Sequence, residues 1–330
     1  MAPTFWMISN REKKDGSLGT KHAPPNEPLN YWTSDGGPLD NLKNWTSRKE
    51  PDFKKLLTGA ANRFPFIEDP EKHEEQKHVT LFIHGYNNDW KDAVHMYEKI
   101  CTNLFVGAQG LGICVLFTWP SDGMYLGYLP DRMDARKSAP DLATVLNAFY
   151  DWLIEKQAAA EDDSDKACRA KTSIIAHSMG NYVLQKAMQV TWTRKNQPLL
   201  VALVNQLLMV AADVDNDLFD DSEGKDNTDG AAIANLTYRV TALYTGRDPV
   251  LGVSAGLKHF GTRRLGRSGL SKNVPRPDNV WDVDCTNLIP PDAQNIHSSY
   301  FDAPLVIKLM QQLLRGVDRK VLIESGVAPG

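Results

Sequence analysis

The run Ala176-His177-Ser178-Met179-Gly180 sets a serine between two small residues, one on either side at a distance of two positions. It follows a β-prone apolar stretch at 172–176 and opens a segment, 181–191, whose apolar residues recur at helical spacing. A serine on so sharp a strand-to-helix turn holds its Oγ clear of the backbone, and only small neighbours let that turn close. The helix N-terminus beyond it favours negative charge developing near the serine oxygen. The chemistry implied is nucleophilic catalysis through Ser178, against the plain alternative that Ser178 merely caps a helix.

A serine hydroxyl is a poor nucleophile until a base takes its proton, and the base needs a partner that fixes its tautomer. For a nucleophile on this kind of turn the chain order is serine, acid, histidine. Of the eight histidines, His22, His73, His78, His84 and His95 precede the serine and fail that order. His177 adjoins Ser178 and cannot easily fold back onto it, and His259 follows the candidate acid with no strand between. His297, in a loop before the last helical segment, is left as the base, with a surface histidine as the structural alternative. The acid must then fall between 178 and 297. Asp248 follows the strand-like run 238–244 and sits between Gly246 and Pro249, which mark a loop. It is the first choice; Asp213, after the run 206–211, is the runner-up, and Asp282, Asp284 and Asp292 stay open.

His84-Gly85-Tyr86-Asn87 ends a third apolar run, 79–83. Backbone N–H groups of Tyr86 and Met179 are expected to receive an oxyanion, with Gly85 letting the backbone approach closely. His84 reads first as a residue that holds this loop by hydrogen bonds, and for Asn87 that role stands as an alternative. The loop 119–123, with Tyr125 and Tyr128 beyond it, opens toward the same end of the strands. Asn87, Trp119, Tyr125 and Tyr128 are therefore candidate substrate contacts, an aromatic lip suited to an apolar acyl or alkyl group. The same aromatics could simply pack the loop down.

The elements that would position these residues alternate along the chain. A continuous apolar run at 79–83 and a second at 113–119 read as strands buried on both faces; 172–176, 206–211, 238–244 and 280–285 read as further strands, with a first strand near 4–10. Helical periodicity fills 90–105, 141–154, 181–191 and 300–314. Strand and helix taking turns imply a mostly parallel sheet with helices on both faces. One domain over 1–330 is expected, with an irregular excursion at about 15–78, including one short helix near 52–61, and a loop insertion at about 214–235.

Bulk properties narrow the class. The chain has 330 residues, 42% hydrophobic and 24% charged, enough for one large core. A formal net charge of −4 gives no electrostatic reason to expect nucleic acid or an anionic membrane. No apolar run is long enough to span a bilayer, and no signal-like segment opens the chain. Four scattered cysteines lack zinc or redox spacing, so reduced thiols in a cytoplasmic protein are expected. Nothing in the composition sets an oligomeric state. Asp213, Asp215 and Asp217 alternate as in a calcium loop, but Leu218 stands where glycine is needed, so a solvated acidic loop is expected. His73 and His78 lack the spacing of a zinc helix, and no glycine-rich phosphate or dinucleotide fingerprint follows a strand. No metal or cofactor is implied. Arg263, Arg264 and Arg267, among glycines, read as a solvated mobile loop.

With these residues in place, the chain resembles a bacterial α/β-hydrolase family known as a domain of unknown function and related to esterases and lipases. The likeness runs through SNR (9–11), FIHGYNN (82–88), FTWPSDG (117–123), AHSMGN (176–181), AADVDNDLF (211–219), YTGRDPVL (244–251) and IHSSYF (296–301). It covers the chain from about residue 5 to 315, while 31–75 matches nothing in it. The resemblance implies the α/β-hydrolase fold, a Ser178, Asp248 and His297 triad, and hydrolysis of a small-molecule carboxylic ester without a cofactor. An amidase, thioesterase or acyltransferase would use the same triad, and a non-catalytic binding module is the alternative from another class.

Overall fold

The computed structural model describes residues 3–107, 109–121, 128–162, 168–195, 202–258 and 261–330. The first part of the chain forms β1 (Phe5–Ser9), the hairpin β2 (Arg11–Lys14) and β3 (Ser17–His22), β4 (Asn30–Ser34), β5 (Thr46–Arg48) and helix α1 (Glu50–Ala61). Alternation then sets in: β6 (His78–Ile83), α2 (Trp90–Ile100), β7 (Gly112–Thr118), α3 (Tyr128–Asp162), β8 (Lys171–His177), α4 (Gly180–Lys195) and β9 (Val204–Val210). The remainder gives α5 (Thr228–Leu236), β10 (Thr237–Tyr244), α6 (Pro249–Val253), α7 (Leu265–Ser268), β11 (Val280–Asp284), α8 (Pro304–Arg315) and α9 (Arg319–Glu324).

Nine strands make one sheet in the order β11-β10-β9-β8-β6-β7-β1-β4-β5. Every pairing from β11 across to β1 is parallel, and β4 and β5 continue the edge antiparallel. The α/β-hydrolase fold expected from the sequence is therefore present, mostly parallel and covered by helices. Alternate side chains serve opposite faces, as the two-residue period of a strand requires. Leu81, Ile174, Leu207 and Met209 join a core beneath α1, α3, α4 and α5. Phe82, Ile175, Leu208 and Val210 join the other, beneath α2 and α8.

Three segments differ from the sequence expectations. Residues 15–78 are not only irregular, because β4 pairs with β1 and β5 pairs with β4, extending the main sheet. The stretch expected as a loop insertion contains α5, whose Ile233 and Leu236 are fully buried. The helix expected at 141–154 runs from Tyr128 to Asp162 and carries Pro140 inside it. Proline normally ends a helix because it lacks the N–H and crowds the preceding turn; the flanking Ala135, Ala139, Leu142 and Ala143, all buried, hold this one to the sheet. Among the described residues no helix is long and apolar enough to cross a membrane.

Candidate active site

β8 ends at His177, and Ser178 follows with φ of 53°, a left-handed conformation that a residue with a Cβ adopts only when its surroundings impose it. Here they do. The Ser178 N–H donates to the Val210 carbonyl at 3.0 Å, and the Ser178 carbonyl accepts from the N–H of Asn181 and of Asp213, each at 3.1 Å. Asn181 Nδ2 donates to the Ala176 carbonyl at 2.8 Å. A Cβ on Gly180 would strike the carbonyl oxygens of Ile83 and His84, which is why this position takes no side chain.

His297 lies between Ser178 and Asp248. Its Nε2 is 2.8 Å from Ser178 Oγ, and its Nδ1 is 2.7 Å from Asp248 Oδ2. The carboxylate accepts, so the ring proton belongs on Nδ1 and the Nε2 lone pair faces the serine hydroxyl. Asp248 is fully buried, and its second oxygen, Oδ1, accepts from the Leu251 N–H at 3.0 Å, capping α6. One carboxylate thus fixes a helix start and an imidazole at once. Arg267 Nη1 donates to the Asp248 carbonyl. Arg247 Nη2 donates to the carbonyls of Thr286 at 2.8 Å and Ile289 at 2.6 Å, tying the loop after β10 to the loop after β11.

Three of the other candidate acids are engaged elsewhere. Asp213 Oδ1 accepts from Arg264 Nε at 2.8 Å and from Ser254 Oγ at 2.9 Å. Asp282 Oδ2 accepts from the Leu270 N–H, and Asp284 Oδ1 from the Thr286 N–H, both at 2.9 Å; Asp292 is exposed. The solvated-loop expectations for Asp213 and for Arg264 are corrected here. Both are buried, because Arg264 also donates to the Asp213 carbonyl and to Asp215.

The loop after β6 closes over the serine. A Cβ built on Gly85 would lie 2.8 Å from Ser178 Cβ and 3.3 Å from Ser178 Oγ, so its backbone rests directly against the nucleophile candidate. Tyr86 follows it, half-buried, and Met179 is fully buried beside the serine. Asn87 has φ of 57°, and its N–H donates to Asp131 Oδ2 at 3.1 Å, which fixes the loop. Trp119 is fully buried, stacked on His84 at 5.3 Å, with its Nε1 donating to the His84 carbonyl at 2.9 Å. Trp119 therefore supports the loop from beneath and has no exposed surface, where the sequence reading expected a substrate contact. Tyr125 and the side chain of Tyr128 lie outside the described residues.

His177, set aside as a base, has a different place. Its Nε2–H donates to the His297 carbonyl at 2.9 Å, and its ring packs 4.9 Å from that of His297 and 5.4 Å from Phe301. Burial, with His297 next to it, pushes its pKa down to about 3, so it stays neutral and holds its neighbour by a hydrogen bond. A cavity of about 1130 Å³ lies elsewhere, between α1 and the second half of α3, against Ile8, Phe53, Val145, Phe149 and Trp152.

Comparison with known proteins finds a family that matches most of the chain. The family described as "Alpha/beta hydrolase of unknown function (DUF900)" matches residues 61–316. An uncharacterized protein, alr1448, from Nostoc sp. (strain PCC 7120) is 27% identical over 173 residues, covering 42% of this chain and 41% of the Nostoc protein's own length. Among solved structures, lipase B of Aspergillus fumigatus aligns over 82% of this chain and 63% of its own, at 11% identity and a TM-score of 0.43. A putative cell surface hydrolase from Lactobacillus plantarum WCFS1 aligns over 77% of this chain and 99% of its own, at 10% identity and a TM-score of 0.38.

Proposed function

Because this chain belongs to the α/β-hydrolase family of unknown function, which matches it over residues 61–316, we propose that it is a serine hydrolase cleaving carboxylic esters with short- to medium-chain acyl or alkyl groups. The observation that carries this reading is the unbroken hydrogen-bonded chain Ser178 Oγ, His297, Asp248, with 2.8 Å and 2.7 Å between successive partners. His297 Nε2 takes the proton from Ser178 as Oγ attacks the ester carbonyl. Asp248 keeps the imidazole in the required tautomer and stabilises the imidazolium that forms. The N–H groups of Tyr86 and Met179 receive the oxyanion of the tetrahedral intermediate. Collapse breaks the bond to the alkoxy group, which leaves as an alcohol carrying the proton from His297. Water, deprotonated by His297, then attacks the acyl-enzyme and releases the carboxylic acid with Ser178 restored. Each proton and electron pair is supplied by the chain, the ester or water.

Replacing Ser178 with Ala tests the reading. Release of p-nitrophenol from p-nitrophenyl butyrate is expected to fall by at least about 1000-fold, since the nucleophile is lost while the oxyanion donors remain. Undiminished turnover in Ser178→Ala would remove the serine from the mechanism.

A further inference from the structure

Arg11, the first residue of β2, is fully buried, and three of its four guanidinium hydrogen bonds go to the end of β7 and to the loops after β6 and β7. Its Nε donates to Thr118 Oγ1 at 2.9 Å, its Nη2 to the Asn88 carbonyl at 2.9 Å, and its Nη1 to the carbonyls of Ser121 at 3.2 Å and Gly19 at 3.1 Å. Thr118 Oγ1 accepts from Arg11, which leaves its own proton for His84 Nε2 at 3.2 Å. The same Nε2 accepts the Trp119 N–H at 3.2 Å. Two donors converging on Nε2 require a lone pair there, so the proton of the neutral ring sits on Nδ1 and is donated to the Gly85 carbonyl at 2.7 Å. Burial and the Arg11 charge hold His84 well below its ordinary pKa, which keeps it in this neutral form.

The Gly85–Tyr86 peptide is trans, as every described peptide bond is, and in a trans peptide the N–H points opposite to the C=O. Turning the Gly85 carbonyl onto the buried His84 ring therefore turns the Tyr86 N–H away from that ring. We propose that Arg11 is a positioning residue of the oxyanion site: through Thr118 and His84 it fixes the plane of the Gly85–Tyr86 peptide so that the Tyr86 N–H meets the substrate oxyanion. This rests on the hydrolase reading above and deepens it. Arg11 touches no substrate; besides its direct bond to the Asn88 carbonyl, it reaches the Gly85–Tyr86 peptide through the hydroxyl and the imidazole between.

The decisive comparison is Thr118→Val, which keeps the side-chain shape and removes the hydroxyl, against Thr118→Ser, which keeps the hydroxyl. Both are measured with p-nitrophenyl butyrate for kcat and KM, with a trifluoromethyl ketone whose hemiketal oxygen occupies the oxyanion site, and with butyrate as a ground-state ligand. Thr118→Val is expected to lower kcat by about 10- to 100-fold, less than complete loss of a donor, with KM changed less than about twofold. The inhibition constant of the ketone is expected to rise by the same factor as kcat/KM falls, that of butyrate to stay put, and Thr118→Ser to restore both. Arg11→Lys, which keeps the charge and loses the fork, is expected to show the same parallel, and it decides the matter should Thr118→Val fail to fold. A kcat equal to wild type in Thr118→Val, or a loss of kcat with no matching loss of ketone affinity, overturns the relay. A folded wild type that cleaves no ester overturns the hydrolase reading, and the relay with it, and is told apart by that result alone.

Discussion

Three histidines are packed neutral in the interior, and two of them flank the serine. His84 lies under the Gly85 loop, His177 holds the His297 carbonyl, and His78 opens β6 with its Nδ1 2.6 Å from Ser173 Oγ. Burial pushes His78 and His177 down to about 3 and His84 well below its usual value. In the unfolded chain each returns to about 6.5, so between those values the unfolded state binds more protons than the folded one. For His78 and His177 the contribution to stability is complete above about pH 6.5 and is lost as pH falls toward 3, by on the order of 1 kcal/mol per pH unit for each; His84 adds a loss of the same sign. Urea midpoints are expected to stay level from pH 7.5 to about 6.5 and to fall from there to 4.5, less steeply in His78→Gln; equal slopes in the two proteins below pH 6.5 would contradict the neutral burial of His78. At this scale the sequence spoke unevenly. Chain order excluded five histidines, adjacency to the serine His177 and the lack of an intervening strand His259, which left His297; a position just after a strand-like run put Asp248 first among the acids. The sequence could not show that His177 donates to a carbonyl 120 positions away, because nothing in a local pattern marks a contact of that span.

Charged residues in loops look alike until their partners are known, and the elements around β9 illustrate it. Asp213 follows β9, and Arg264 immediately precedes α7; each reads as solvated in its own sequence context, yet Arg264 Nε and Asp213 Oδ1 meet at 2.8 Å with both side chains buried. Breaking such a pair from one side leaves an uncompensated charge in the interior. Arg264→Met is expected to cost about 3–5 kcal/mol, and the double variant Asp213→Asn with Arg264→Met to recover most of it, read from urea denaturation. A single-variant loss below about 1 kcal/mol would mean that Asp213 keeps its solvation without Arg264. The parallel strands were readable because β6 and β7 are nearly continuous apolar runs and the others are rich in apolar, β-branched or aromatic residues between helical segments. β5 was not, since Thr46–Arg48 is three polar residues at the sheet edge. α5 was hidden behind the acidic residues that precede it, and the first turns of α3 behind Pro140, the usual mark of a helix boundary.

At the scale of the molecule, the parallel sheet brings distant residues to one edge. Gly85 follows β6, Trp119 follows β7, Ser178 follows β8, Asp248 follows β10 and His297 follows β11, all at the carboxyl ends of their strands. That is where open α/β sheets gather ligands and chemistry, so the convergence is a consequence of topology and not of local sequence. What the topology leaves open is whether Ser178 is activated, and a fluorophosphonate probe answers that without knowledge of the natural ester. Intact-mass measurement after treatment, followed by peptide mapping, is expected to find one adduct per chain, on Ser178. Ser178→Ala is expected to take up none, and His297→Gln to react at least about 100-fold more slowly. A folded wild type that takes up no label, or one labelled equally after Ser178→Ala, would contradict the assignment of Ser178 as the nucleophile.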